Sequence, residues 1–171
     1  MVRRELPIQV LVLGVGDVNK GDAGVGVRTV EILARRFQIP PGIQVGDNVS
    51  IGKGLSAAIA NAKRVILVHA LRAGAEPGSL LKLVGKEIPD YINRQTTVDT
   101  DVLSTILTQS GIAPEQLETM TLYGIEAAEV DAGLPLSGEV APQAARLANL
   151  LAEELERLGY TVPPRGLLSS G

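Results

Sequence analysis

A chain of 171 residues, 45% hydrophobic and 20% charged, is long enough for one domain with a full core and too short for two ordinary ones. Its 19 acidic and 16 basic residues leave a formal net charge of -3, which argues against nucleic acid and against a membrane surface as partners. The absence of cysteine excludes a disulfide framework, a thiolate metal site and a thiol nucleophile, and makes the cytoplasm the default compartment.

Ile8 to Leu13 is a continuous β-rich apolar run closed by Gly14-Val15-Gly16, the pattern of a strand buried on both faces and then turned sharply. From Gly24 to Phe37 the apolar residues Val25, Val27, Val30, Ile32 and Leu33 share one face, with Arg28, Glu31, Arg35 and Arg36 outside; the spacing predicts an amphipathic helix. Pro40-Pro41-Gly42 ends it, Ile43 to Val45 forms a short strand, and a helix is expected from Ser50 to about Asn61. Arg64 to Val68 repeats the buried-strand pattern, and His69 ends that strand. This strand and helix alternation is the rhythm of a mostly parallel sheet with helices on both faces. Further along, Ser79 to Val84 reads as a strand, Lys86 to Asp90 as loop, Asp99 to Ser110 as a helix and Met120 to Ile125 as a strand. Ser137 is positioned to cap a last helix running to about Leu158. The expected unit is a single three-layer α/β domain over residues 1–162, followed by a loose tail over 163–171.

In such a sheet, ligands occupy the crevice at the carboxyl ends of the strands, so the informative residues follow strands. Gly14-Val15-Gly16-Asp17 follows the first, with Lys20 and Asp22 close by, and Asp47, Asn48, Val49 and Ser50 follow the second. The opening glycines lack the third glycine of a dinucleotide fingerprint, and no Walker sequence is present. The segments VLVLGVGDVNKGDAGVGVRTVEIL, IQVGDNVSIGKGL, RVILVHALRAGAEPGSL and TLYGIEAAEVDAGLPLSGEVAPQAARLANLLAEELERLGY together resemble the maturation endopeptidases of nickel-iron hydrogenases. That resemblance implies a five-stranded, mostly parallel sheet and removal of a C-terminal peptide from the hydrogenase large subunit after nickel insertion.

Carried over residue by residue, the family's metal-reading positions fall on Ala23, Asp47 and Asp99, of which only Asp47 keeps the family residue. Where the family has asparagine, a glycine pair with threonine, and aspartate, this chain has Asp17, then Asn48, Val49 and Ser50, then His69. Departures concentrated on one edge are the pattern of a re-purposed or rebuilt site, and they open a second chemistry. Ser50 sits in a strand-turn-helix setting near helix N-terminal amides, and His69 is the sole histidine in the chain. With Asp17 or Asp99 as orienting acid, they form the parts list of a serine hydrolase acting on an activated ester, acyl or phosphoryl substrate, with no cofactor expected. Each residue also has a plain structural reading: Ser50 and Asp99 as helix caps, Asp17 and Asp47 as turn formers, His69 as a buried imidazole on a backbone carbonyl. The alternatives are a peptidase on a hydrogenase large subunit that uses nickel or another divalent metal through Asp47, and an inert or partner-binding homologue. A magnesium-like ion on Asp17, Asp22, Asp47 and Asp99 is a further arrangement of the same carboxylates, whereas Lys20 and Lys53 read as surface lysines.

Overall fold

The computed structural model describes residues 7–94 and 100–166. Strand β1 (Val10–Gly14) lies between β2 (Ile43–Asp47) and β3 (Arg64–Leu71), and β5 (Thr121–Glu126) and the outer β4 (Leu80–Val84) complete the sheet in the order β2-β1-β3-β5-β4. Every pairing is parallel except β4 with β5. The α/β sandwich expected from the sequence is the one observed.

Side-chain alternation divides the core in two. Val10 and Val12 of β1 join Ile66, Val68 and Ala70 of β3 on one face, covered by α1 (Val25–Arg36) and α7 (Ala141–Arg157). Leu11 and Leu13 join Val65, Leu67 and Leu71 on the other, covered by α3 (Leu55–Asn61), α4 (Glu87–Arg94), α5 (Thr100–Gln109) and α6 (Pro114–Thr119). Each fully buried leucine contributes about 2 kcal/mol of apolar transfer, so this aliphatic core needs almost no aromatic residues. Among the described residues, no helix is long and apolar enough to cross a membrane.

Several elements depart from the periodicity. The helix expected from Ser50 is broken into α2 (Asn48–Ile51), a 3-10 turn at Gly52–Gly54 and α3, because two glycines in three residues weaken helix propagation. Strand β3 runs on to Leu71, since β5 offers it partners as far as Glu126, and this leaves His69 within the strand. The stretch Lys86 to Asp90, expected as loop, enters α4, whose Ile88 and Tyr91 turn inward; Pro89 falls in the first turn, where a missing amide costs little. Burial pushes the Tyr91 phenol above its ordinary value of 10.0. The short α6 has too few residues to show a period.

The last helix starts at Ala141, with Val140 rather than Ser137 as its cap. The tail expected to be loose is tied down at its start: Gln38 N donates to Pro163 O at 2.8 Å and Arg165 N to Arg36 O at 2.6 Å. The Arg165 guanidinium also donates to the carbonyls of Ala34 and Phe37.

Helix α1 approaches the sheet closely enough that a Cβ on Gly26 would lie 2.2 Å from Val68 O and 2.7 Å from Val15 O. Both obstacles are backbone, which cannot rotate away. Gly26→Ala is therefore expected to destabilise the fold by about 3 kcal/mol or more, read as a lower urea midpoint. An unchanged midpoint would show that α1 can lift off the sheet at no cost.

Candidate functional site

A cleft of about 600 Å³ opens at the carboxyl edge between the loops that follow β1 and β2. Residues Gly16–Lys20 form one wall, Asp47–Ser50 the other, and Val27 and Glu31 of α1 also line it. The walls are joined directly, because Gly16 N donates to Asn48 Oδ1 at 3.1 Å. Its charged side chains are the carboxylates of Asp17, Glu31 and Asp47 and the ammonium of Lys20.

Asp47 ends β2 and caps α2. Its Oδ1 accepts from Val49 N and Ser50 N, both at 2.9 Å. Ser50 returns the interaction, its Oγ accepting from Asp47 N at 3.2 Å. This reciprocal arrangement satisfies amides that the short helix leaves unpaired. On the opposite wall, Asp17 Oδ1 accepts from Asn19 N at 2.8 Å, and Asp17 N donates to Ala23 O at 3.2 Å, closing a compact turn.

His69 lies elsewhere. It is fully buried, and its Nδ1 is 3.1 Å from the carbonyl oxygen of Val15, which requires that this nitrogen carry the proton. Alternation along β3 turns it to the face of Leu67 and Leu71, away from α1. Strand β1 separates β3 from β2, a displacement of about 10 Å at ordinary strand spacing. No hydrogen bond among the described residues joins Ser50 to His69, and His69 is not a lining residue of the cleft. Ser50 and Asp47 come together as a cap, Asp17 faces them across the cleft, and Asp99 lies outside the described residues.

Of the positions carried over from the family's metal site, the two among the described residues, Ala23 and Asp47, do not by themselves make a site for a resident metal ion. Ala23 has no donor atom and is buried, while one oxygen of Asp47 is committed to two amides. Among the described residues, no three His, Cys, Asp or Glu side chains are gathered to hold a metal.

Two carboxylates are buried in the structure: Asp22, which the sequence offered only as one of four ligands for a magnesium-like ion, and Glu126, which the sequence reading did not single out. Asp22 is 0% exposed and Glu126 6%. The Glu126 carboxylate receives the amides of Ala73 and Gly74 at 2.9–3.1 Å and shapes the loop after β3. The Asp22 carboxylate receives Ala128 N and Ser137 N, both at 2.8 Å, Glu129 N at 2.9 Å and Ser137 Oγ at 2.9 Å. Fully buried, with three donors on Oδ2 and one on Oδ1, Asp22 does not face the cleft as a ligand for a magnesium-like ion. The one sequence signal was an acidic residue flanked by small ones in Gly21-Asp22-Ala23-Gly24.

The profile of the HycI hydrogenase maturation protease family matches residues 27–154. The chain belongs to the hydrogenase maturation protease family. It is 28% identical over 159 residues to the hydrogenase expression/formation protein HupD of Bradyrhizobium diazoefficiens, covering 92% of this chain and 83% of that protein. It is 30% identical over 125 residues to the hydrogenase 2 maturation protease of Escherichia coli K12, covering 65% of this chain and 76% of the other. Among solved structures, the hydrogenase maturating endopeptidase HybD from E. coli superposes with a TM-score of 0.80 at 25% identity, covering 92% of this chain and 98% of that one. HybD from Thermococcus kodakarensis shares the fold at a TM-score of 0.65 and 23% identity, over 86% and 98% of the two chains.

Family membership supports the peptidase reading over the ester-hydrolase reading built on Ser50 and His69, and the local geometry gives the physical reason. The Ser50 hydroxyl serves a helix cap, and the imidazole it would need lies beyond the next strand, facing the other layer.

Because Asp47 Oδ1 holds two amides and Ser50 Oγ one, Asp47→Ala is expected to cost about 1–2 kcal/mol and Ser50→Ala about half that, measured by chemical denaturation. Equal costs, or none, would mean that the cap does not hold the second wall of the cleft.

Proposed function

We propose that this protein is an endopeptidase that removes a C-terminal peptide from a hydrogenase large subunit. The observation that carries the reading is a cleft at the carboxyl edge of the sheet in a chain of the hydrogenase maturation protease family. The names of the similar E. coli proteins, a hydrogenase 2 maturation protease and a hydrogenase maturating endopeptidase, support it. The substrate is an extended protein tail, and the nickel belongs to the large subunit that carries the tail.

Peptide hydrolysis needs a base for the attacking water, stabilisation of the oxyanion and a proton for the departing amine. In this chain, where Asp17 replaces the asparagine of the resembled family, that carboxylate is the side chain suited to the first task, since only its Oδ1 is engaged, by a single amide. Its free oxygen takes a proton from water as the water oxygen bonds to the scissile carbonyl carbon. That proton then passes to the amine nitrogen as the C–N bond breaks. Lys20, the cation of the same wall, supplies positive charge toward the developing oxyanion.

The test is incubation of the full chain with nickel-loaded precursor large subunit, followed by intact-mass analysis. The expected product is a subunit shortened at its C-terminus by one defined peptide, with Asp17→Asn slowing cleavage by about 100-fold or more. A second reading, of a homologue that binds the subunit without processing it, is favoured by Ala23, which puts a methyl group where the resembled family carries an acidic side chain. Stable co-elution with the intact precursor and no mass change would establish that reading and overturn the first.

A further inference from the structure

Asp22 is the one charged side chain among the described residues that is 0% exposed, and the mechanism above does not use it. Its four donors, three backbone amides and one hydroxyl, are all uncharged and all come from the segment between β5 and α7. A buried carboxylate with no cation beside it is poor value for stability alone, because desolvation cancels much of what its hydrogen bonds return. What it provides is geometry: an apolar residue of similar volume would fill the space and orient nothing.

The surrounding contacts show what is being oriented. Gly21 N donates to Leu134 O at 3.1 Å, Asp22 N to Glu129 O at 2.8 Å and Gly133 N to Asn19 O at 2.8 Å. These bonds lock the loop after β1 to the segment 127–140. The approach is so close that a Cβ on Gly21, whose φ is +56°, would lie 2.7 Å from Glu129 O. The same loop closes on itself through Lys20 N to Asp17 O at 3.2 Å and Ala23 N to Lys20 O at 3.1 Å. Fixing Asp22 therefore fixes residues 17–20, which form one wall of the cleft.

We infer that Asp22 is a positioning residue: by clamping the loop after β1 to the segment 127–140, it sets the Asp17–Lys20 wall against which the substrate tail binds. Asp22 does not touch the tail. In its effect on turnover the inference rests on the peptidase reading above, whereas its effect on the wall itself does not.

The experiment compares the full-length wild type with Asp22→Asn and Ser137→Ala, each held at a temperature where circular dichroism shows it folded. Hydrogen exchange is followed at the amides of Asp17 and Lys20, together with kcat and KM for cleavage of the nickel-loaded precursor. Asn offers one oxygen and turns an NH2 donor toward amide donors, so Asp22→Asn is expected to speed exchange at both amides, to raise KM about tenfold or more and, because Asp17 moves with the wall, to lower kcat as well. Ser137→Ala removes one of the four donors and is expected to shift both readouts in the same direction by a smaller amount. If Asp22→Asn melts at a lower temperature but keeps wild-type exchange at Asp17 and Lys20, the residue is merely structural and the inference is overturned. If Asp22→Asn does not fold, Ser137→Ala decides, and unchanged exchange and KM there overturn it. A wild-type protein that leaves the precursor intact removes the peptidase reading, while the exchange comparison still decides the role of Asp22.

Discussion

Strand β1 is buried along all five of its residues, and this constraint decides where the protein can do chemistry. Every position of β1 is taken by an apolar residue or glycine, so the polar groups of this part of the chain come only where it leaves the sheet. The exits of β1 and β2 are adjacent because the two strands pair in parallel register from Val10 with Ile43 to Gly14 with Asp47. Both loops therefore begin at the same level of the sheet, and the cleft lies between them. The close seat of α1 at Gly26 brings Val27 and Glu31 up to the same opening. Packing of the apolar layers thus fixes the site before any of its polar residues is considered.

The polar residues then divide by what satisfies them. Asp22 and Glu126 are buried, receive several backbone donors each and hold loops. Asp47 and Ser50 satisfy each other and the first amides of α2. Asp17 lines the open cleft with one of its oxygens taken by one amide. A carboxylate whose lone pairs are consumed by fixed amides is architecture; one with capacity left, facing a space large enough for a peptide, is available for chemistry. By the same accounting, the two described positions carried over from the family's metal site offer little to a metal ion, since Ala23 has no donor and an oxygen of Asp47 is already engaged.

Reading Ser50 and His69 as partners was reasonable in one dimension and is unsupported in three. Both follow or end strands in the chain, and both depart from the resembled family's pattern. The extension of β3 to Leu71 is set by its pairing with β5, and no local pattern around His69 announces it. Once the strand continues, alternation decides the direction of the imidazole, which turns to the layer of α3 to α6 and meets the carbonyl of Val15. Ser50 followed the commoner fate of a serine in the first turn of a helix, because the amide of Asp47 lies within reach of its hydroxyl and satisfying it has immediate local value.

The sequence by itself determined the α/β class, the sites of the strands, the helices α1, α5 and α7, and the family. The elements follow from periodicity and turn residues, and the family from the resemblance of whole segments to its motifs, all of which are local properties of the chain. Only the tertiary structure decided that Asp22 faces the segment 127–140 from more than a hundred residues away in the chain, that Ser137 serves that carboxylate rather than capping α7, and that His69 turns from the cleft. Those outcomes depend on which backbone groups are left unpaired when distant loops meet, and that becomes defined only once the sheet order has brought the loops together.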